Sequence, residues 1–132
     1  LLVAGDWRLA AAVGADGVHL PEAMVRRGAP AWGGGGPRRP GFLVTAAAHS
    51  PAALWRAARA GADAALLSPV FATASHPGGA VIGLPRFAAW CRGAPLPVYA
   101  LGGIDRGTVR RLKDAGAAGA AAIGALAGIG GA

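Results

Sequence analysis

One pattern recurs along this chain and limits the folds open to it. Residues 12–20 read Ala-Val-Gly-Ala-Asp-Gly-Val-His-Leu, residues 58–67 read Ala-Arg-Ala-Gly-Ala-Asp-Ala-Ala-Leu-Leu, and residues 114–123 repeat the pattern more loosely. In each copy a helix pattern ends on a glycine (Gly14, Gly61, Gly116) that can take the left-handed conformation just past a helix. A short, almost wholly apolar strand follows. Such strands, alternating with helices, are buried on both faces, which means a parallel sheet covered by helices.

The spacing predicts strands over 1–4, 17–20, 42–46, 64–68, 98–101 and 120–123. It predicts helices over 7–13, 21–27, 51–60, 84–92 and 108–115. The third helix is the best marked: Ser50 is its N-cap, Pro51 opens its first turn and Gly61 stops it. Leu54, Ala57, Ala58 and Gly61 form its inner face. Residues 32–41 make a Gly/Pro/Arg loop outside the chemistry. The segment 71–83 is long for a strand-to-helix connection, and connections of that length are usually binding loops or lids. Six strands do not close an eight-stranded barrel, so the choice lies between an open sheet and a barrel lacking two units.

Length and composition narrow the class. A single domain over residues 1–132 is expected. Gly and Pro make up a quarter of the chain, yet the apolar residues come in strand-sized runs, so a folded domain is the reading. The net charge is +7, but Lys113 is the only lysine and the arginines are scattered along helices. That spread argues against a nucleic-acid partner. Cys91 is the sole cysteine, which leaves no internal disulfide and no Cys-based zinc site. It reads as an inert helix residue. No run reaches membrane-spanning length and no signal peptide is visible, so a cytoplasmic protein without a membrane partner is expected. The first residue is Leu1 and the chain starts within a strand pattern, so further sequence is expected upstream.

The chemistry centres on Val98-Tyr99-Ala100-Leu101-Gly102-Gly103-Ile104-Asp105. An apolar strand runs into a Gly-Gly pair, and a helix pattern opens at once with Asp105 as its N-cap. Glycines allow close approach of backbone to a ligand, and the open N–H groups of a helix start favour an anion such as phosphate. The ends of parallel strands are where α/β folds place their sites.

Three segments together resemble the thiamine phosphate synthase/TenI family: Gly14-Ala15-Asp16-Gly17-Val18-His19-Leu20, Ser68-Pro69-Val70-Phe71-Ala72-Thr73 and Val98-Tyr99-Ala100-Leu101-Gly102-Gly103-Ile104. The resemblance runs over essentially the whole chain. It implies a TIM-barrel (β/α)8 fold, here incomplete, with strands three to eight present and the first two βα units absent. It also implies one of two activities. The synthase joins a pyrimidine diphosphate to thiazole phosphate, with Mg2+ and release of pyrophosphate. TenI-type proteins are thiazole tautomerases that move a proton, without a metal cofactor, using a histidine just after the fifth strand.

Set against the synthase pattern, several positions depart. Gly5 replaces an Asn, while Asp6 remains as the one candidate metal ligand. Pro21-Glu22 and then Met24 stand where the synthase has Gly-Gln and a magnesium-binding Asp. A thioether is a poor ligand for a hard cation. Ala47 replaces a Ser, and the long loop reads Thr73-Ala74-Ser75-His76 where the synthase ends in Lys. The tautomerase needs less, and the resemblance makes His49 its base. Imidazole titrates near neutrality and suits proton abstraction. Gly102 and Gly103, with Gly124 and Ala125, match the family's phosphate-binding turns. Thr73, Ser75 and His76 complete the expected phosphate and substrate contacts.

Other roles stay open for these residues. His49 also reads as a polar residue in a strand-to-helix turn, His76 as a solvated loop residue and Asp6 as a helix cap. His19 reads as a histidine satisfied inside the barrel, and Tyr99 faces either the barrel or the helix layer. The leading expectation is a thiazole tautomerase acting on the small molecule thiazole phosphate, with a homo-oligomer allowed. The alternatives are a thiamine phosphate synthase, a non-catalytic phosphate-ligand binder, or a piece that does not fold alone.

Overall fold

The computed structural model describes residues 1–28, 38–73 and 78–123. Its core is one parallel sheet of six strands, hydrogen-bonded in chain order. They are β1 (Leu2–Ala4), β2 (Gly17–Leu20), β3 (Leu43–Ala48), β4 (Ala64–Leu67), β5 (Val98–Ala100) and β6 (Gly119–Ala120). The helices are α1 (Trp7–Ala12), α2 (Glu22–Arg26), α3 (Pro51–Arg59) and α4 (Leu84–Arg92). Among the described residues β1 and β6 are the two edges, and the sheet does not close. No helix among them is long and apolar enough to cross a membrane.

The recurring glycine works as its sequence setting predicts. Gly14, Gly61 and Gly116 have φ of 65°, 78° and 77°, and each turns the chain from a helical segment toward the next strand. The N-cap of α3 also forms: the Ser50 side chain accepts from the Ala53 N–H at 3.2 Å, with Pro51 in the first turn. The buried residues of α3 are Ala53, Leu54 and Ala57, while Ala58 is only half-buried.

The two faces of the sheet differ. Pairing in register places Val18 beside Val44, Ala46 beside Ala65 and Leu67 beside Ala100. Wherever this face is apolar it is buried and packs in clusters with Ala53, Leu54 and Ala57 of α3, Val25 of α2 and Phe87 of α4. The opposite face carries His19 beside Thr45, and Leu66 beside Tyr99. It is less covered, with Tyr99 exposed. Tyr99 thus lies on the face away from the helix layer, with Gly119 fitted against its ring: a Cβ there would lie 2.7 Å from the ring edge. His19 is half-buried and its Nδ1 bonds Thr45 Oγ1 at 2.9 Å. Burial holds its pKa below the ordinary imidazole value.

Three elements differ from expectation by more than one residue at an end. β3 runs on to Ala48, because Ala47 and Ala48 pair with Leu66 and Leu67. The last strand is Gly119–Ala120 rather than 120–123, although the Ala121 N–H still reaches the Ala100 carbonyl at 2.8 Å. The helix expected over 108–115 is only a 3-10 turn, Val109–Leu112. Gly107, Thr108 and Val109 are poor helix formers. Lys113, at ψ 132°, and Asp114, at φ 63°, then take the chain out of helical geometry before Gly116.

Candidate active site

A cleft of about 1000 Å³ opens beyond the C-terminal ends of β3, β4 and β5. His49, Thr73, Gly102 and Gly103 all line it, so the fold brings four of the expected site residues together. Ser75, His76, Gly124 and Ala125 lie outside the described residues. Asp6 is not part of the cleft lining. Its Oδ1 accepts from the Arg8 and Leu9 N–H groups, both at 2.9 Å, as the N-cap of α1.

The wall of the cleft is the long loop after β4. Its first residues are fixed to the end of β5: the Val70 N–H donates to the Leu101 carbonyl at 2.9 Å and the Phe71 N–H to the Gly102 carbonyl at 3.1 Å. The returning chain is fixed too, with Ile82 donating to Pro69 and Gly83 to Val70. This close stitching requires the glycine pair. At Gly102, φ 90°, a Cβ would lie 2.7 Å from Pro69; at Gly103, φ 64°, it would lie 2.3 Å from the Ala72 carbonyl oxygen.

The same turn leaves donors open. The N–H groups of Gly102, Gly103 and Ile104 meet no acceptor among the described residues. Asp105 does not oppose an anion there as directly as its charge implies. Its Oδ1 folds back to accept from Gly107 at 2.8 Å and Thr108 at 2.7 Å, and those N–H groups hold its pKa below the usual carboxylate value. Thr108 Oγ1 in turn accepts from the Asp105 N–H and donates to the Gly103 carbonyl at 2.7 Å, which braces the turn. Arg111 lines the cleft with its guanidinium 4.9 Å from the centre of the Phe71 ring.

His49 follows the last residue of β3 and precedes the cap of α3, so it projects from the sheet end. Its Nδ1 lies 2.6 Å from Glu22 Oε2, and the other carboxylate oxygen accepts from Arg56 Nη2 at 3.2 Å. Glu22 is well shielded and His49 is exposed. Neither Glu22 nor Arg111 was singled out as functional from sequence. Glu22 is the chain's only glutamate and stands two residues past the end of β2, which is the one signal the sequence offers for it.

The chain matches the thiamine monophosphate synthase family model over residues 1–126. It belongs to that family. Thiamine-phosphate synthase of Methanoculleus marisnigri is 41% identical over 131 residues, covering 92% of this chain and 56% of the relative. Thiamine-phosphate synthase of Thiobacillus denitrificans is 36% identical over 129 residues, covering 96% and 58%. Among solved structures, thiamine phosphate pyrophosphorylase from Pyrococcus furiosus superposes with a TM-score of 0.67 at 26% identity, over 92% of this chain and 55% of that one. The chain thus spans a little over half the length of these relatives.

Members of the thiamine monophosphate synthase family with synthase activity use magnesium, and the residues described here do not fit that ion. No three His, Cys, Asp or Glu side chains gather into a ligand group among the described residues. The Asp6 carboxylate caps α1, and Glu22 is engaged by His49 and Arg56. Met24 packs its sulfur over Gly5, 3.4 Å from where a Cβ would stand. A thioether is a poor ligand for a hard cation.

Proposed function

We propose that this family member acts on thiazole phosphate as a tautomerase, with His49 as general base. The observation that carries the reading is the placing of His49 and the open N–H groups of Gly102 and Gly103 in one cleft. Those N–H groups hold the phosphate. His49 takes a proton from one position of the thiazole ring and returns it at another, so the ring becomes aromatic and its composition is unchanged. Gly124, Ala125, Thr73, Ser75 and His76 are further phosphate contacts in this reading, which requires no metal. The corner occupied by Met24 and Gly5 supports a reaction without a diphosphate leaving group, since that chemistry needs charge neutralisation.

A second reading is favoured by the names of the relatives: a thiamine phosphate synthase that joins pyrimidine diphosphate to thiazole phosphate. One pair of assays separates the two. The full chain is given carboxythiazole phosphate alone, or thiazole phosphate with the pyrimidine diphosphate and Mg2+. Isomerisation in the first assay, lost in H49Q, supports the tautomerase. Thiamine phosphate in the second assay, with no isomerisation in the first, replaces it with the synthase.

A further inference from the structure

We infer that Glu22 is the positioning residue for His49: its carboxylate holds the imidazole by Nδ1 and leaves Nε2 as the nitrogen open to substrate. The inference rests on the reading of His49 as the base. Nδ1 lies 2.6 Å from Glu22 Oε2, a close contact of the kind an imidazole N–H makes with a charged carboxylate. His49 lines the cleft and Glu22 does not. The bond therefore lies behind the ring as seen from the substrate, and the ring rotation and tautomer are both set by it. A base must present an unprotonated nitrogen to the proton it takes, and a partner on the other nitrogen secures this.

The carboxylate is itself held from a second side. Glu22 opens α2 at the end of β2, while His49 and Arg56 lie at and one to two turns beyond the end of β3. Arg56 Nη2 donates to Oε1 at 3.2 Å, so each oxygen of Glu22 has a separate partner. The Arg56 Nε is buried and has no hydrogen-bond partner among the described residues. Leaving a buried donor unmet is unfavourable. The guanidinium is therefore held in this place by its bond to Glu22 and its packing, not by full satisfaction of its own donors. His49, Glu22 and Arg56 form a line in which the arginine fixes the carboxylate and the carboxylate fixes the base. This occupies the corner after β2 where Pro21-Glu22 departs from the synthase pattern, so the departure acquires a purpose under a proton-transfer reaction.

The test uses the full chain with 15N-labelled histidine and two readouts, the His49 tautomer by long-range 1H–15N NMR and the isomerisation kinetics. In the neutral form of His49, wild type should carry the proton on Nδ1. Glu22→Ala should give a mixture of tautomers and lower kcat by about tenfold to hundredfold with KM little changed, the scale seen for partners that orient a histidine. Glu22→Gln, whose amide oxygen still accepts a hydrogen bond, should recover part of both. Arg56→Met frees one oxygen of the carboxylate while sparing the histidine contact, and should keep the tautomer but lower kcat by a few-fold, less than Glu22→Ala does. The role of Glu22 is overturned if E22A keeps both the tautomer and kcat, or if R56M costs as much as E22A, since that marks a tether between helices. Turnover that survives in H49Q overturns the base itself, a different failure from turnover lost in H49Q but unchanged in E22A.

Discussion

Gly103 is under two constraints that only a glycine satisfies. Its φ is 64°, and a Cβ would press to 2.3 Å on the Ala72 carbonyl oxygen, which is itself part of the cleft wall. Gly103→Ala should therefore destabilise the chain by more than about 1 kcal/mol and push the loop after β4 away from the end of β5. Thermal melting and binding of inorganic phosphate would both report it; an unchanged melt with unchanged binding would refute the packing described here. Arg111 gives a second expectation at this scale. It carries a positive charge into the cleft from the 3-10 turn, above Phe71. Arg111→Met should raise KM for a phosphorylated substrate by about tenfold, near 1.4 kcal/mol, and leave kcat nearly unchanged. A fall in kcat at constant KM would remove Arg111 from anion binding. The sequence exposes these residues unequally. Gly103 stands in a legible turn between a strand and a polar cap. Arg111 is one of many arginines, and Glu22 meets His49 across 27 positions of chain. A contact between two strand ends has no local signature, so only the fold reveals the pair.

Among elements, α3 begins closest to the proposed base. Its N-cap, Ser50, is the neighbour of His49, and its buried side chains Ala53, Leu54 and Ala57 seat it on the sheet. Ser50→Ala removes the bond to the Ala53 N–H and should cost about 1 kcal/mol. It should also loosen the turn that aims His49, so turnover falls by more than the loss of folded protein explains. Measured side by side, melting and specific activity distinguish this from a purely stabilising cap, for which activity per folded molecule stays constant. This helix was legible because cap, first-turn proline and stopping glycine are local and agree with the apolar spacing. The segment after β5 shows the limit of that logic. Asp105 reads as the N-cap, and its side chain does accept from the Gly107 and Thr108 N–H groups, but the helical turn that forms is capped at Thr108. Yet the turns beyond it give only a short 3-10 segment, because capping fixes where a helix can begin and not whether the following residues sustain it. Strand ends likewise depend on neighbours. Ala47 and Ala48 join β3 through Leu66 and Leu67, which no property of an Ala-Ala-Ala-His run announces.

For the whole molecule, the pattern of charge makes acid the natural denaturant. The chain has six acidic residues against thirteen basic ones, so each carboxylate protonated adds to an already positive chain. One carboxylate is tied into the sheet. Asp63, from the second copy of the repeated motif, accepts from the Val44 N–H at 2.7 Å and from both terminal nitrogens of Arg38, at 2.7 and 2.8 Å. It thereby joins the residue before β4 to the body of β3. Partial burial raises its pKa, but the Arg38 and Val44 hydrogen bonds with the Arg38 charge outweigh this, and the net shift is downward. A carboxylate whose folded pKa is depressed stabilises the fold above its unfolded pKa. That contribution is lost as pH falls from about 4 through the lower folded value. Asp105 is shifted the same way by its own turn and adds to the effect. Asp63→Asn should thus lower stability at neutral pH by about 1–3 kcal/mol, since a charged acceptor of three hydrogen bonds is lost. Its melting temperature should then depend less on pH than the wild type's on the acid side, so the two curves converge as pH falls. Denaturation followed from pH 7 to pH 3 in both proteins checks this. Parallel curves would mean that Asp63 holds the sheet through shape alone and that the acid sensitivity of the chain resides elsewhere.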